Sequence, residues 1–150
     1  MSQLSGQEQS FAKSHGVKAE RRNLTVVFCD MVGSTELSSR LDPEDMRDII
    51  RAFQRCSEIA ILGLDGRIGR YMGDGILAYF GFPAAHEDSA ERAVHAALEV
   101  IRLVSELSFE GAARIEVRIG IATGLVVVGD LIGEGSSREF AFFGYWSFMD

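Results

Sequence analysis

The stretch "GRYMGDGILAYFGFP", residues 69–83, decides the fold because it places a tight turn between two apolar runs. "RIGRYM" and "ILAYFGF" are typical of strands, and a Gly-Asp-Gly sequence between two such runs is typical of a β-hairpin. The turn carries Asp74 between two glycines. This carboxylate is either a common turn residue or a metal ligand, and the choice between these interpretations depends on the rest of the chain.

The residues before the hairpin predict one strand and two helices. The β-branched run "NLTVVFCD" (23–30) predicts a buried strand that ends at Asp30. "MVGSTELSSRL" predicts a short turn followed by a helix. A longer helix begins after Asp42, which is a typical N-cap residue, with Pro43 at the first helical position. Its apolar residues recur at helical spacing: Met46, Ile49, Ile50 and Phe53.

The residues after the hairpin predict one long helix and three strands. Residues 85–107 predict an amphipathic helix with one apolar side, made of Ala93, Ala97, Val100, Ile101 and Val104. "RIEVRIGIATGLVVVGDLIG" predicts two strands joined at Thr123–Gly124, and "REFAFFG" predicts one more. The order β, α, α, β, β, α, β, β, β predicts an α+β domain with helices on one face of a mainly antiparallel sheet.

Composition limits the possible classes of function. The 150 residues fit one domain with a core, and the net charge of −7 argues against a nucleic-acid-binding surface. There is no apolar run long enough to span a membrane, and the N-terminal stretch lacks the apolar core of a secretory signal, so we expect neither feature. Cys29 and Cys56 lack metal-ligand or redox spacing, so we expect both to be reduced and buried in a cytoplasmic protein.

Three segments follow from these patterns. Residues 1–22 are polar and predict a tail or linker, and residues 23–144 hold the predicted domain. Residues 145–150 form a tail rich in aromatic residues.

Asp30 and Asp74 form a candidate metal site. If their strands are neighbours, both carboxylates emerge at one edge of the sheet, where a shared cation would stabilise them. Mg²⁺ prefers such oxygen ligands, and the Gly33 turn and following helix start would present amides to an anion. The alternatives are that Asp30 is a helix N-cap and that Asp74 only serves the turn. On these residues alone, both interpretations stay open.

Three longer segments resemble the class III nucleotidyl cyclases, the adenylyl and guanylyl cyclase catalytic domains, in their bacterial form. They are "LTVVFCDMVGSTELSSRLDPE", "RYMGDGILAYFGFPAAHEDSAERAVHAALEV" and "RIGIATGLVVVGDLIGEGSSREFA", within about residues 20–141. The resemblance implies a ferredoxin-like α+β fold and a homodimer or heterodimer with active sites at the subunit interface. It also implies that a nucleoside triphosphate is converted to a 3′,5′-cyclic nucleotide and pyrophosphate.

The same resemblance assigns site residues. It implies that Asp30 and Asp74 bind two Mg²⁺ or Mn²⁺ ions, one activating the 3′ oxygen and the other holding the phosphates. The triphosphate would be held by the backbone amides of Met31, Val32, Gly33, Ser34 and Thr35. The resemblance favours ATP over GTP, but Arg70 stands where the family has a lysine that contacts adenine, and this exchange is not conservative, so the choice of purine stays open.

The C-terminal sequence departs from the family. Gly144 keeps its family position, Tyr145 replaces an acid, and the family helix with its catalytic Asn and Arg is absent, which predicts a truncated or altered end. We therefore expect weak activity or none and no catalytic residue beyond the metal ligands. The alternative is a defective regulatory or heterodimerising module that binds metal–nucleotide. A diguanylate cyclase or polymerase-palm relative is a third interpretation, which the word "FCDMVGST" disfavours.

Overall fold

A computed structural model describes residues 20–112, 114–130 and 140–143 of the chain. These residues form an α+β arrangement, as the sequence predicts. In chain order the elements are β1 Glu20–Met31, α1 Ser34–Arg40, α2 Pro43–Gly63, β2 Arg67–Met72, β3 Gly75–Phe80, α3 Ser89–Ser105, β4 Val117–Asp130 and β5 Phe140–Phe143. The tail predicted for residues 145–150, like most of residues 1–22, lies outside the described residues.

The strands form one sheet in the order β2-β3-β1-β4-β5, and every described pair is antiparallel. β1 lies in the centre, and its second half contains the mainly apolar run "LTVVFC", which is typical of a buried strand. It begins at Glu20, three residues before the predicted start at Asn23. The predicted hairpin is present, with Gly73 at φ 56° in the turn between β2 and β3.

The prediction of two strands joined at Thr123–Gly124 is wrong, because β4 runs without a break through both residues. The longer β1 supplies the reason: Leu24 pairs with Gly124 and Thr25 with Thr123, so the backbone continues along β1 instead of turning. The two threonine hydroxyls also form a hydrogen bond of 2.8 Å. The number of strands after α3 is therefore two in the described part of the chain.

Helices α2 and α3 cover one face of the sheet. Asp42 is the N-cap of α2 and Pro43 its first residue, as predicted, although the Asp42 side chain makes no capping hydrogen bond. The buried core joins both helices to alternate residues of the central strands: Val27, Cys29, Met31, Met46, Ile49, Phe53, Ile76, Ala78, Phe80, Ala93, Val100 and Val104. We call this side of the sheet the helix-covered face.

The prediction that Ile101 lies on the buried side of α3 is wrong, because its exposed fraction is 47%. It follows the buried Val100 by one position, and one helical residue turns the side chain through about 100°, which carries Ile101 to the outer side. Ala96 takes a place in the core instead. Ile50, predicted as a core residue of α2, is half-buried and packs against the core.

Cys29 and Cys56 are free and buried, as predicted. Burial, and then the neighbouring Asp30 carboxylate, raise the pKa of the Cys29 thiol to about 12, so this sulfur stays protonated near neutral pH. In the part of the chain that the structure describes, no helix has both the length and the apolar character needed to span a membrane.

Candidate functional site

Strand register places Asp30 beside the hairpin turn. Asp30 pairs with Gly75 on β3, and Asp74 immediately precedes that glycine. On its other side Asp30 pairs with Arg118 of β4. We call this end of the sheet, defined by Asp30, Asp74 and Arg118, the carboxylate edge.

The alternation along β1 gives the direction of the Asp30 side chain. Cys29 and Met31 belong to the buried core, so Asp30 and Phe28 point to the opposite side of the sheet. We call that side the open face. Asp30 is 25% exposed and Phe28 36% exposed there. Gly33 is the N-cap of α1, which excludes the alternative that Asp30 is the N-cap of that helix.

Asp74 is fixed to the start of α1. The Ser34 hydroxyl donates a hydrogen bond to the Asp74 carboxylate, and the Met31 amide donates one of 3.3 Å to the Asp74 carbonyl. Gly33, at φ 71°, makes the sharp change of direction that brings Ser34 back over the turn. The local sequence "DMVGST" thus links the end of β1 to the hairpin.

Asp30 is held by a different group. Arg118 donates from Nε to Oδ1 and from Nη2 to Oδ2 of Asp30, both at 3.2 Å, which is a bidentate ion pair. The Arg118 side chain is 72% exposed. Arg118 is not among the site residues that the sequence predicts. An arginine within the apolar strand "VRIGI" is unusual enough to be noticed in the sequence. Its partner, Asp30, can be identified only from the β1–β4 register.

The five residues predicted to hold a triphosphate do not present equivalent amides. The Met31 amide bonds to Asp74, and the Val32 amide donates to the Glu116 carbonyl at 2.8 Å. Ser34 and Thr35 begin α1, where the first amides of a helix have no acceptor within the helix. Gly33 to Thr35 therefore fit the predicted contact better than Met31 and Val32 do.

Arg70 lies on β2, beside an irregularity in its pairing with β3. The register sets Arg70 opposite Leu77, and Leu77 opposite Phe28, one row of side chains away from the row that contains Asp30. Arg70 is exposed. The structure therefore places it on the same face as Asp30 but not in contact with the carboxylate edge.

The donor set fits a hard divalent ion that carries other ligands. Among the described residues, no cluster of three or more His, Cys, Asp or Glu side chains could hold a metal. Asp30 and Asp74 would thus supply two carboxylates, and phosphate or water oxygens would complete the coordination, as is usual for Mg²⁺. The neutral Cys29 thiol faces the core and supplies no ligand.

The structure also has a groove of ≈490 Å³ between α1 and the first half of α2, with lining residues from Ser38 to Gln54. Pro43, Met46 and Ile50 give it an apolar floor. Neither Asp30 nor Asp74 lines this groove, so its volume says nothing about the carboxylate edge.

The family model described as "Adenylate and Guanylate cyclase catalytic domain" matches residues 17–146. The chain belongs to this cyclase family. It is 31% identical over 119 residues to an adenylate cyclase of Anabaena cylindrica, covering 74% of this chain and 23% of that protein. The chain spans between 12% and 27% of the length of the first curated relatives that it matches.

Solved cyclase structures share the fold. The guanylyl cyclase Cya2 matches with a TM-score of 0.76 and 31% identity, covering 85% of this chain and 66% of that one. The adenylyl cyclase CyaB from P. aeruginosa matches with a TM-score of 0.76 and 26% identity, covering 86% and 69%. Adenylyl and guanylyl cyclases are thus both among the structures that this cyclase domain resembles.

Proposed function

We propose that this chain is a nucleotidyl cyclase domain of adenylyl type, which by itself converts ATP to a 3′,5′-cyclic nucleotide and pyrophosphate only weakly, because the family's catalytic Asn and Arg are absent from its sequence. One observation carries the proposal: the β1–β3 register brings Asp30 next to the turn that holds Asp74, although 44 positions separate them in the sequence. Family membership adds the reaction class.

Asp30 and Asp74 would hold two Mg²⁺ or Mn²⁺ ions. When bound, such ions lower the pKa of an attacking hydroxyl and neutralise phosphate charge. The residues of the chain prepare this site. The Ser34 hydroxyl fixes the orientation of the Asp74 carboxylate. Among the described residues, no heavy atom lies within 4 Å of a Cβ built at Gly33, so phosphates would find open space beside the first residues of α1.

Arg70 supports a nucleotide site on the open face. It is exposed on the same face as Asp30, where a base could lie when the phosphates are at the carboxylate edge. The preference for ATP is proposed from the family resemblance, and the Arg70 guanidinium, which replaces the family lysine, is expected to select adenine less strongly than lysine would. We also propose that the active form is a dimer.

The first experiment measures cyclic nucleotide formed from ATP or GTP with Mn²⁺, using the purified chain and two variants, Asp30→Asn and Asp74→Asn. We expect each variant to lose about 10²-fold or more of the activity, because a metal ligand becomes a neutral amide. Asp48→Asn, an exposed change on α2, is the matched control and should stay within about twofold. Equal activity in all four proteins would contradict the proposed roles.

The departure at Tyr145 favours a second candidate, a module that pairs with another cyclase domain and contributes its two aspartates to a shared site. The test mixes this chain with a cyclase domain whose own metal aspartates are changed to alanine. Product formed only in the mixture supports the second candidate, and product formed by the chain alone supports the first. If nucleotide neither binds nor reacts in any sample, both are wrong.

A further inference from the structure

Two neighbouring carboxylates at the carboxylate edge have partners of different charge. Asp74 accepts a hydrogen bond from the neutral Ser34 hydroxyl, whereas both oxygens of Asp30 are engaged by the Arg118 guanidinium. Both oxygens of Asp30 are therefore already next to a positive charge. This inference rests on the proposed role of Asp30 as a metal ligand.

We propose that Arg118 is an internal counter-ion of Asp30, which the metal must displace before it can bind. Arg118 would thus set the metal concentration at which the site fills. The pairing is built into the fold, because Asp30 and Arg118 are direct partners across β1 and β4 and their side chains leave the same face of the sheet.

The metal and the guanidinium compete for the same atoms. A Mg²⁺ ion binds a carboxylate oxygen at a distance of about 2.0–2.1 Å. The Arg118 guanidinium already contacts both oxygens of Asp30, so a metal ion approaching them would meet a crowded and positively charged group. The two cations also repel each other at such separations. A site with Arg118 in place therefore binds metal more weakly than the same two carboxylates would without it.

The exposure of Arg118 makes the exchange feasible. Its side chain is 72% exposed, so the guanidinium can leave Asp30 for water without opening the core. Exposed ion pairs are weak and are screened by salt. Arg118 therefore weakens metal binding at Asp30 without preventing it. This effect should become smaller as the ionic strength rises.

The test titrates Mn²⁺ alone, without nucleotide, and follows free Mn²⁺ by electron paramagnetic resonance. We expect Arg118→Gln to bind Mn²⁺ about threefold to tenfold more tightly than the unchanged chain at low salt, with the ratio falling at high salt. Arg118→Lys retains the charge but loses the fork, so we expect an intermediate change of about twofold. Arg118→Lys also provides the test if Arg118→Gln does not fold.

Arg55→Gln is the matched control, because it removes an equal charge from an exposed position on α2. It should leave the Mn²⁺ affinity within about 1.5-fold. If Arg118→Gln and Arg118→Lys bind Mn²⁺ no more tightly than the unchanged chain, the counter-ion role is wrong.

Asp30→Asn separates this failure from that of the proposed function. Loss of Mn²⁺ binding in Asp30→Asn, with no gain in the Arg118 variants, would overturn only the counter-ion. Unchanged Mn²⁺ binding in both Asp30→Asn and Asp74→Asn would overturn the metal site itself, and the counter-ion with it.

Discussion

The two faces of the sheet differ in what holds their side chains in place. On the helix-covered face, Val27, Ile76 and Phe80 are buried under α2 and α3. On the open face, Asp30 and its neighbours are partly exposed and are held by ion pairs and hydrogen bonds. In the part of the chain that the structure describes, a small buried cluster of Leu24 and Val126, packed with Phe82, covers the far end of the open face.

This difference separates stability from function. The helix-covered face draws its free energy from apolar burial, so changes there should alter unfolding and leave the chemistry of the carboxylate edge intact. The open face contributes little burial near Asp30, so changes there should alter binding and barely affect unfolding. Each of the following variants tests one side of that separation.

The largest expected effect comes from Gly66→Ala on the helix-covered side. A Cβ at Gly66 would lie 2.6 Å from two ring carbons of Phe80 and 2.7 Å from Ile61 Cγ2, so the core must shift. We expect the free energy of unfolding to fall by about 1–3 kcal/mol, measured by urea denaturation. Mn²⁺ affinity of the folded protein should be unchanged.

Gly63→Ala is the control for this prediction. Gly63 ends α2, has no heavy atom within 4 Å of a built Cβ and has no positive φ, so alanine should leave stability equal or raise it by up to about 1 kcal/mol. Equal losses of stability in both variants would contradict the close packing of the Phe80 ring against Gly66.

A smaller effect is expected at Ser34, which belongs to the carboxylate edge. Ser34→Ala removes the hydroxyl that orients Asp74, and losing a group that positions a metal ligand typically weakens binding. We expect Mn²⁺ affinity to fall about tenfold, while the free energy of unfolding changes by less than about 1 kcal/mol. The sign is opposite to that expected for Arg118→Gln.

Ser38→Ala is the control, since Ser38 lies on the same helix and its hydroxyl donates a hydrogen bond to the nearby Thr35 carbonyl, away from Asp74. It should leave Mn²⁺ affinity unchanged. A similar loss of affinity in both serine variants would place the cause in the stability of α1, and not in the Asp74 contact.

The sequence predicted those parts of the fold whose signals are local. A β-branched run predicted β1, a Gly-Asp-Gly turn predicted the hairpin, and Asp42–Pro43 predicted the start of α2. The break at Thr123–Gly124 was wrong because the partner that keeps β4 extended is β1, almost 100 positions earlier. A Thr-Gly pair indicates a turn only where no neighbouring strand extends past it.

The candidate site shows the same limit. Asp30 and Asp74 could be singled out because each ends or joins a strand, but their proximity had to be assumed until the β1–β3 register was known. Arg118 could not be found in this way, since an arginine in a strand usually marks a solvated position. Its pairing with Asp30 depends on a contact between residues 88 positions apart.

The smallest expected effect is a change of purine preference at Arg70 on the open face. Arg70 is exposed on β2, so Arg70→Lys should leave the free energy of unfolding within about 0.5 kcal/mol. Lysine restores the residue that the family resemblance associates with adenine. We therefore expect the ratio of ATP to GTP conversion to rise about twofold to tenfold, the value of one hydrogen bond.

The measurement is the ratio of the two cyclic products formed from an equal mixture of ATP and GTP, so that differences in total activity cancel. Arg67→Lys, an exposed change at the start of the same strand, is the control and should leave the ratio unchanged. A ratio that moves equally in both variants would reflect the general charge of β2. A ratio that moves in neither would contradict the proposed contact of Arg70 with the base, while Asp30 and Asp74 would keep their proposed roles because those concern the phosphates and not the base.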